Sequence, residues 1–376
     1  MTRPRVTVVV AARPNFMKAG PVVRALTGFE VDLVHTGQHY DRNLSGAFLD
    51  DLGMPDPTVN LGVGSGSHAE QTAGVMVAFE RYLVDRSPEA VLVVGDVNST
   101  LAATLAATKL HIPVGHVEAG LRSRDWTMPE EINRMVVDRL SCWLFTPSAD
   151  ADANLVAEGI PEDRIHLVGN VMIDTLLSLL PEARSRHFAV IERLGLKTDR
   201  YAVLTLHRPA TVDFPDRLAQ ALEGVAAVGR ELPVLFPVHP RTVSKMQSTG
   251  HSLPDGVMPL DPMGYLDFLA LMDGAALVLT DSGGMQEETS VLGVPCLTMR
   301  STTERPITVE LGTNHVVGID PAEIAKWAAE ALNRERSPAE IPLWDGDAAV
   351  RIAGVMTSWF DRREGLDPGP CGFDPR

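Results

Sequence analysis

The sequence predicts an α/β protein of two domains, each built on a parallel sheet. Three observations lead there. Short apolar runs, of the kind buried on both faces of a parallel sheet, alternate with helical segments along most of the chain. The pattern begins at Val6–Val10 and begins again at Tyr201–Thr205. Finally, 376 residues are long for one hydrophobic core and comfortable for two α/β domains.

In the first domain, Val6–Val10 reads as a buried strand whose carboxyl end turns through Ala11–Asn15 into a helix over Phe16–Leu26. Arg13 and Lys18 lie near the start of that helix, where cations oppose the local dipole. A bound anion beside them would offset this, although a solvated surface pair reads equally from the residues. Val31–Thr36 is the second strand, followed by Gly37-Gln38-His39-Tyr40, a helix over Ser45–Leu52 and a loop over Pro55–Ser67. Helical periodicity returns over Ala69–Leu83. Ala90–Val94 then delivers Gly95-Asp96, Leu101–Leu110 crosses back, and Pro113–Val117 delivers Glu118-Ala119-Gly120-Leu121-Arg122. Open α/β sheets bind ligands at strand carboxyl ends, so Arg13, Asp96 and Glu118 should converge. A helix over Glu130–Leu140 places Glu130 and Arg134 on one face, where they could also be no more than an intrahelical ion pair. Trp143–Thr146 and Ile165–Val168 are the remaining strands. Val171–Leu180 is helical, with the domain crossover near Pro181.

The second domain repeats the pattern with different loops. Tyr201–Thr205 leads to His207-Arg208-Pro209, a helix covers Phe214–Arg230, and Val234–Val238 leads to His239-Pro240-Arg241. Leu260–Pro262 precedes a helix over Tyr265–Met272. Ala275–Leu279 is a strand followed by Asp281-Ser282-Gly283-Gly284 and a helix ending near Gly293. Asp281 and Ser282 can cap that helix, and two glycines let backbone N–H groups approach an anion. The plainer reading is a capped helix with a glycine turn. Glu288, one turn inside, suits the hydroxyls of a ribose. Cys296–Met299, Thr303-Glu304-Arg305-Pro306, Asn314–Val317 and a helix over Pro321–Glu335 follow. The expected organisation is a first domain over 1–180 carrying the carboxylates and a nucleotide-binding domain over 181–355. A terminal helix over Ala348–Phe360 is expected to dock back on the first domain, so 356–376 is set apart as its end and a loose tail from Arg362.

Composition removes several classes. A net charge of −16 argues against nucleic-acid binding, and no apolar stretch is long enough to span a bilayer, so a soluble cytoplasmic protein is expected. No cofactor is expected. Neither domain has Gly-x-Gly-x-x-Gly after its first strand, and no P-loop occurs. Cys142, Cys296 and Cys371 form no zinc-type cluster, and Asp96, Glu118 and His207 lack metal-ligand spacing.

With these motifs in order, the chain resembles the non-hydrolysing UDP-N-acetylglucosamine 2-epimerases from Val6 to about Gly318. The resemblance rests on Arg13-Pro14 with Lys18, Thr36-Gly37-Gln38-His39, Gly95-Asp96, His116-Val117-Glu118-Ala119-Gly120-Leu121-Arg122 and Pro129-Glu130-Glu131-Ile132-Asn133-Arg134. It continues through Gly169-Asn170, His207-Arg208, Asp281–Glu288 and Thr303-Glu304-Arg305-Pro306. It implies two doubly wound, Rossmann-like domains in a glycosyltransferase-B type arrangement, a UDP-sugar substrate and a homodimer. Ser282, Gly283, Gly284, Arg13 and Arg305 would contact the diphosphate, and Glu288 the ribose. Asp96, Glu118, Glu130, Arg134 and His207 would surround the sugar with Lys18 nearby; His239, at the end of a strand of the second domain, reads from the residues alone as phosphate-facing. The implied chemistry is anti elimination of UDP to 2-acetamidoglucal and re-addition after protonation on the other face. Asp96 and Glu118 would be the acid/base pair, Glu130 their partner or charge stabiliser, and His207 would sit at the leaving diphosphate.

The chain departs from the common pattern at Asn15, at Pro209-Ala210-Thr211, in the loop Gly62–His68 and at Ile307. The loop change weakens any expectation of activation by a second substrate molecule. The departures also leave room for a modified sugar. Rival readings are therefore a 2-epimerase for a UDP-2,3-diacetamido uronic acid, with Arg122 or Arg124 facing the extra carboxylate, and a hydrolysing variant releasing free N-acetylmannosamine. Glycosyl transfer and a catalytically inert nucleotide-sugar sensor are the readings from other classes.

Overall fold

The structure is a computed structural model and describes residues 3–11, 13–37, 54–196 and 200–363. The expectations for Gln38, His39 and Tyr40 and for a helix over Ser45–Leu52 lie outside these, as does the side chain of Arg13. The chain forms two compact units, Met1–Thr175 with Pro342–Arg376, and Leu176–Ile341.

In the first unit the described strands are β1 (Arg5–Val10), β2 (Glu30–His35), β3 (Val59–Asn60), β4 (Ala90–Val94), β5 (Val114–Val117), β6 (Trp143–Thr146) and β7 (Ile165–Leu167). They lie in the order β3-β2-β1-β4-β5-β6-β7. All pairs are parallel, with Val8 opposite Leu33 on one side and Leu92 on the other. Strands buried on both faces explain why β1 and β4 read as unbroken apolar runs rather than alternating ones. The crossovers use α1 (Arg13–Ala25), α2 (His68–Arg86), α3 (Asn98–Lys109), α4 (Pro129–Leu140) and α5 (Ala149–Ala157). Ser67 starts α2 with a reciprocal capping box to Glu70. Pro129 at the first turn of α4, with Glu130 and Glu131 beside it, fits both the missing donor and the helix dipole. One core cluster gathers Val9, Val34, Phe79, Leu83, Val91, Val93, Ala103 and Val137.

The second unit holds β8 (Ala202–Thr205), β9 (Val234–Pro237), β10 (Val257–Leu260), β11 (Leu277–Thr280), β12 (Cys296–Thr298) and β13 (Asn314–Val316). Their order is β10-β9-β8-β11-β12-β13, again all parallel. Following α6 (Val171–Arg193), its helices are α7 (Pro209–Val212), α8 (Pro215–Gly229), α9 (Pro240–Thr249), α10 (Tyr265–Gly274), α11 (Gly283–Leu292), α12 (Ile307–Glu310) and α13 (Pro321–Leu332). The core combines Leu204, Leu218, Val225, Phe236, Leu279, Leu297 and Ile324.

Several elements differ from expectation. The helix expected to stop at Leu180 continues through Pro181 to Arg193. Leu176, Leu180, Ala183 and Val190 recur at helical spacing and are buried, which outweighs the backbone hydrogen bond a proline forfeits. The chain returns to the first unit at Pro342, ahead of α14 (Ala348–Arg363). Trp359 meets Trp143 edge-on at 4.9 Å between ring centroids, and Phe360 meets Phe29 at 5.4 Å. The Asp174 carboxylate accepts from the N–H groups of Ala348 and Ala349 at 3.2 and 2.8 Å, capping α14 from outside its own sequence. Among the described residues no helix is long and apolar enough to cross a membrane.

Candidate functional site

In each sheet the strand order reverses once, between β1 and β4 and between β8 and β11, and loops at such points form a binding crevice. The residues singled out from sequence lie on the loops after the strands of each sheet and on the helices those loops lead into.

In the first unit, Gly95 follows β4 with φ +70°, and a Cβ there would lie 3.1 Å from Asn15 Nδ2, 3.5 Å from Lys18 Nζ and 3.6 Å from Glu118 Oε2. Those three side chains therefore crowd around one backbone position. Lys18, from α1, forms an ion pair with the buried Glu118 carboxylate. Glu118 itself has φ +75°, a left-handed conformation costly for a residue with a Cβ. Its N–H and that of Ala119 both donate to the Phe145 carbonyl at 3.1 Å, which holds the turn in place.

Asp96 is partly exposed and receives Arg134 through Nε and Nη2 on one oxygen, at 3.0 and 2.9 Å. The i,i+4 pair of Glu130 with Arg134 is not formed. Arg134 instead turns its remaining nitrogen to Glu131 at 2.5 Å. Glu131 also accepts from the backbone N–H groups of Ser123 and Arg124 at 2.9 and 2.8 Å, so it is a buried structural acceptor. Its i,i+3 spacing from Arg134 was the signal in the sequence that could have singled it out. The carboxylate of the half-buried Glu130 makes no hydrogen bond to the described residues. Arg122 is clamped by Asp138 at 2.8 Å and by Glu158 through two bonds of 2.7 Å, while Arg124 is exposed and reaches Asn154.

In the second unit the organising residue is Asp281, at the end of β11 and fully buried. Its carboxylate accepts from the N–H groups of His207 and Arg208 at 2.8 and 2.7 Å and lies 2.9 Å from His207 Nδ1. Burial alone would raise this carboxyl; the His207 ring and the two backbone donors more than reverse that, and its pKa ends below the usual range. Asp281 thus does not cap α11. Ser282 occupies the cap position without a side-chain hydrogen bond, its N–H bound by Thr280 Oγ1 at 2.9 Å. Gly283 opens the helix where a Cβ would come within 2.5 Å of Arg305 Nη1 and 2.7 Å of Glu304 Oε1, so any larger residue would displace one of those side chains.

Arg305 is buried between Glu287 and Glu304, at 2.7 Å from each. Glu304 is also 2.8 Å from Arg300 and 3.4 Å from Arg208. Three guanidiniums, Arg208, Arg300 and Arg305, here face three carboxylates, Glu287, Glu304 and Asp281, so the N–H groups that open α11 add the remaining positive potential. Glu288 takes the Tyr265 hydroxyl at 2.6 Å. Burial pushes its carboxyl up to about 7, with the neighbouring Glu287 adding to this and the tyrosine hydrogen bond opposing it. His239 heads α9 and accepts the Arg241 N–H on Nδ1 at 3.2 Å. Burial and the nearby His207 and Arg241 hold its pKa below the usual value, and its ring centroid lies 6.1 Å from that of His207.

The structure thus brings Lys18, Asn15 and Glu118 together, links Asp96 to Arg134, and separately gathers His207, His239, Ser282, Gly283 and Arg305 around the start of α11. Glu131, Glu304 and Tyr265 are supporting groups that the sequence did not assign, and Asp281, expected as a helix cap, supports His207 and Arg208 instead.

Such a pair of sheets defines a protein of two Rossmann-like domains, the glycosyltransferase-B class. Residues 22–357 match the family described as UDP-N-acetylglucosamine 2-epimerase, and the chain belongs to that family. A UDP-N-acetylglucosamine 2-epimerase of Methanocaldococcus jannaschii is 39% identical, with 94% of this chain and 99% of the relative covered. A UDP-2,3-diacetamido-2,3-dideoxy-D-glucuronate 2-epimerase of Pseudomonas aeruginosa is also 39% identical over 94% of this chain and 99% of its own. Among solved structures, the M. jannaschii UDP-GlcNAc 2-epimerase in complex with UDP-GlcNAc and UDP aligns with a TM-score of 0.87 at 39% identity, covering 94% and 99% of the two chains.

Proposed function

We propose that this chain catalyses the reversible C2 epimerisation of UDP-N-acetylglucosamine to UDP-N-acetylmannosamine without net hydrolysis. The observation that carries the reading is the group around Gly95, where two carboxylates on neighbouring strand ends are each held by a cation, Glu118 by Lys18 and Asp96 by Arg134. Paired carboxylates with fixed partners suit proton transfer better than phosphate binding.

The C2 proton of an N-acetylhexosamine has no adjacent carbonyl and is not acidic. Breaking the C1–O bond first develops positive charge at C1, which acidifies C2–H. The C1–O electron pair leaves with UDP, a carboxylate takes the proton, and the C2–H pair becomes the C1=C2 bond of 2-acetamidoglucal. Protonation of C2 from the other face and re-addition of UDP at C1 give the epimer. Asp96 and Glu118 serve as the acid/base pair, and Glu130 stabilises the charge at C1.

The second unit holds the nucleotide. The N–H groups at Ser282, Gly283 and Gly284, with Arg305, bind the diphosphate, and Glu288 binds the ribose. His207, fixed through Nδ1 by Asp281, presents Nε2 to the leaving phosphate, with His239 beside it and Arg13 contributing a further cation. The active form is a homodimer acting in the cytoplasm, where UDP-linked sugars are made; sedimentation at working concentration tests the first point.

The diacetamido uronate reading has one specific support, a relative of that activity at equal identity. It would need Arg124 for the extra carboxylate, since Arg122 is already clamped. Side-by-side assays with the two UDP-sugars separate the readings: turnover of UDP-N-acetylglucosamine is expected, and turnover of the uronate alone would replace it. Asp96→Asn and Glu118→Gln should each lower kcat by about a thousandfold or more, and near-parental rates would remove the assigned pair.

A further inference from the structure

His116 is completely buried on β5, two residues before Glu118, and its hydrogen bonds among the described residues go to Asp138 and Gly95, neither of which was expected to meet substrate. Its ring is nevertheless held at both nitrogens. Nδ1 lies 2.6 Å from the Asp138 carboxylate and Nε2 lies 2.9 Å from the Gly95 carbonyl. Asp138, equally buried on α4, also takes the Gly120 N–H at 3.2 Å and Arg122 at 2.8 Å. One carboxylate thus ties together the segment before Asp96 and the turn containing Glu118.

Other bonds hold the flanks of this segment: the Val94 carbonyl accepts from Asn15 and Thr100 at 3.0 and 3.1 Å, and Arg134 holds the Asp96 carboxylate. The Gly95 N–H donates to Val117 at 3.1 Å, the Asp96 carbonyl accepts from Asn133 at 2.9 Å, and the Gly95 carbonyl is bound by His116. Gly95 is in a left-handed conformation that two flanking carbonyl contacts must stabilise, because glycine alone permits many others. Without the ring the Gly95 carbonyl would lose a buried partner, and the peptide carrying Asp96 could rotate relative to Glu118.

Resting on the acid/base assignment above, we propose that His116, oriented by Asp138, is a positioning residue that sets the spacing of Asp96 and Glu118. It acts through the Gly95 carbonyl and does not touch the sugar. A displacement of about 1 Å between such groups can lower a rate by about a hundredfold. Nucleotide binding, which relies on other residues, should not change.

The two amide replacements of His116 separate this role from simple packing. In His116→Gln the side-chain amide reaches the place of Nε2 and can donate to Gly95. In His116→Asn it reaches only the place of Nδ1, keeping Asp138 and losing Gly95. The measurements are kcat and KM with UDP-N-acetylglucosamine, the Kd for UDP and the thermal midpoint of each purified full-length variant. The expected result is a kcat at least tenfold higher for the glutamine variant than for the asparagine variant, with KM and UDP Kd within threefold of each other and similar midpoints. Equal kcat values in the two folded variants, or a loss that follows the midpoint or UDP binding, would overturn the proposal. Asp96→Asn and Glu118→Gln run in parallel keep the two failures apart: if both stay active, the acid/base reading falls, whatever His116 does.

Discussion

Glu288 illustrates how burial tunes a binding residue. Its carboxyl, raised to about 7, is an anion at pH 8 and mostly neutral at pH 6. The anion is the better acceptor for ribose hydroxyls, so affinity for a UDP-sugar should fall several-fold as pH drops from 8 to 6. Stability of the free protein should change the opposite way. An acid with a raised folded pKa binds more protons when folded, so its contribution grows as pH falls through about 7. Titration calorimetry and thermal melts over this range check both signs, and Glu288→Gln should flatten both. A steric prediction sits nearby. Gly283→Ala would force Arg305 or Glu304 to move by several tenths of an ångström, and UDP affinity should fall about tenfold or more with the fold intact. Retained affinity, measured by the same calorimetry, would show that the start of α11 is not the diphosphate site.

At the scale of elements, two buried polar devices hold the first unit together. Asp32, in the middle of β2, takes the Tyr82 hydroxyl at 2.9 Å and Arg86 through bonds of 3.0 and 3.1 Å. Burial by itself would raise this carboxyl, and these donors more than reverse it. An acid with a depressed folded pKa stabilises above its unfolded value of about 3.9 and ceases to do so as pH falls through the folded one. Tyr82→Phe should therefore cost about 1 kcal/mol at pH 7 and move acid unfolding to higher pH. Asp174→Ala, which uncaps α14, should cost about 1–2 kcal/mol in denaturant titrations.

Most elements were legible in the sequence because strands buried on both faces leave continuous apolar runs and helices leave 3.6-residue spacing. The exceptions have physical causes. Pro259 disguised β10, yet an edge strand tolerates a proline where a central one does not. The helix α5 opens on alternating alanine and aspartate, which carries no apolar stripe. Pro181 looked like a terminus because propensity outweighs packing in a local reading. At the site, the residues that meet ligand in the resemblance were visible as motifs. Asp281 was expected to cap a helix and Glu131 and the His116–Asp138 pair were not assigned, since most of their partners come from other strands and helices.

For the molecule as a whole, both sheets reverse strand order at one point, yet their loops carry opposite chemistry. One unit presents a glycine-started helix with Arg305 beside it, and the other a group of carboxylates tied to Lys18 and Arg134. The proposed reaction has two such tasks, gripping a phosphate leaving group and removing and returning a proton. It also makes a demand that no simple binding protein or glycosyl transferase meets, because the hydrogen at C2 must exchange with the medium. The direct measurement is incubation with UDP-N-acetylglucosamine in deuterated water, following C2 by NMR or mass spectrometry. The account predicts UDP-N-acetylmannosamine bearing deuterium at C2, with free UDP staying at trace level. Epimer formed with its original hydrogen at C2 would contradict it.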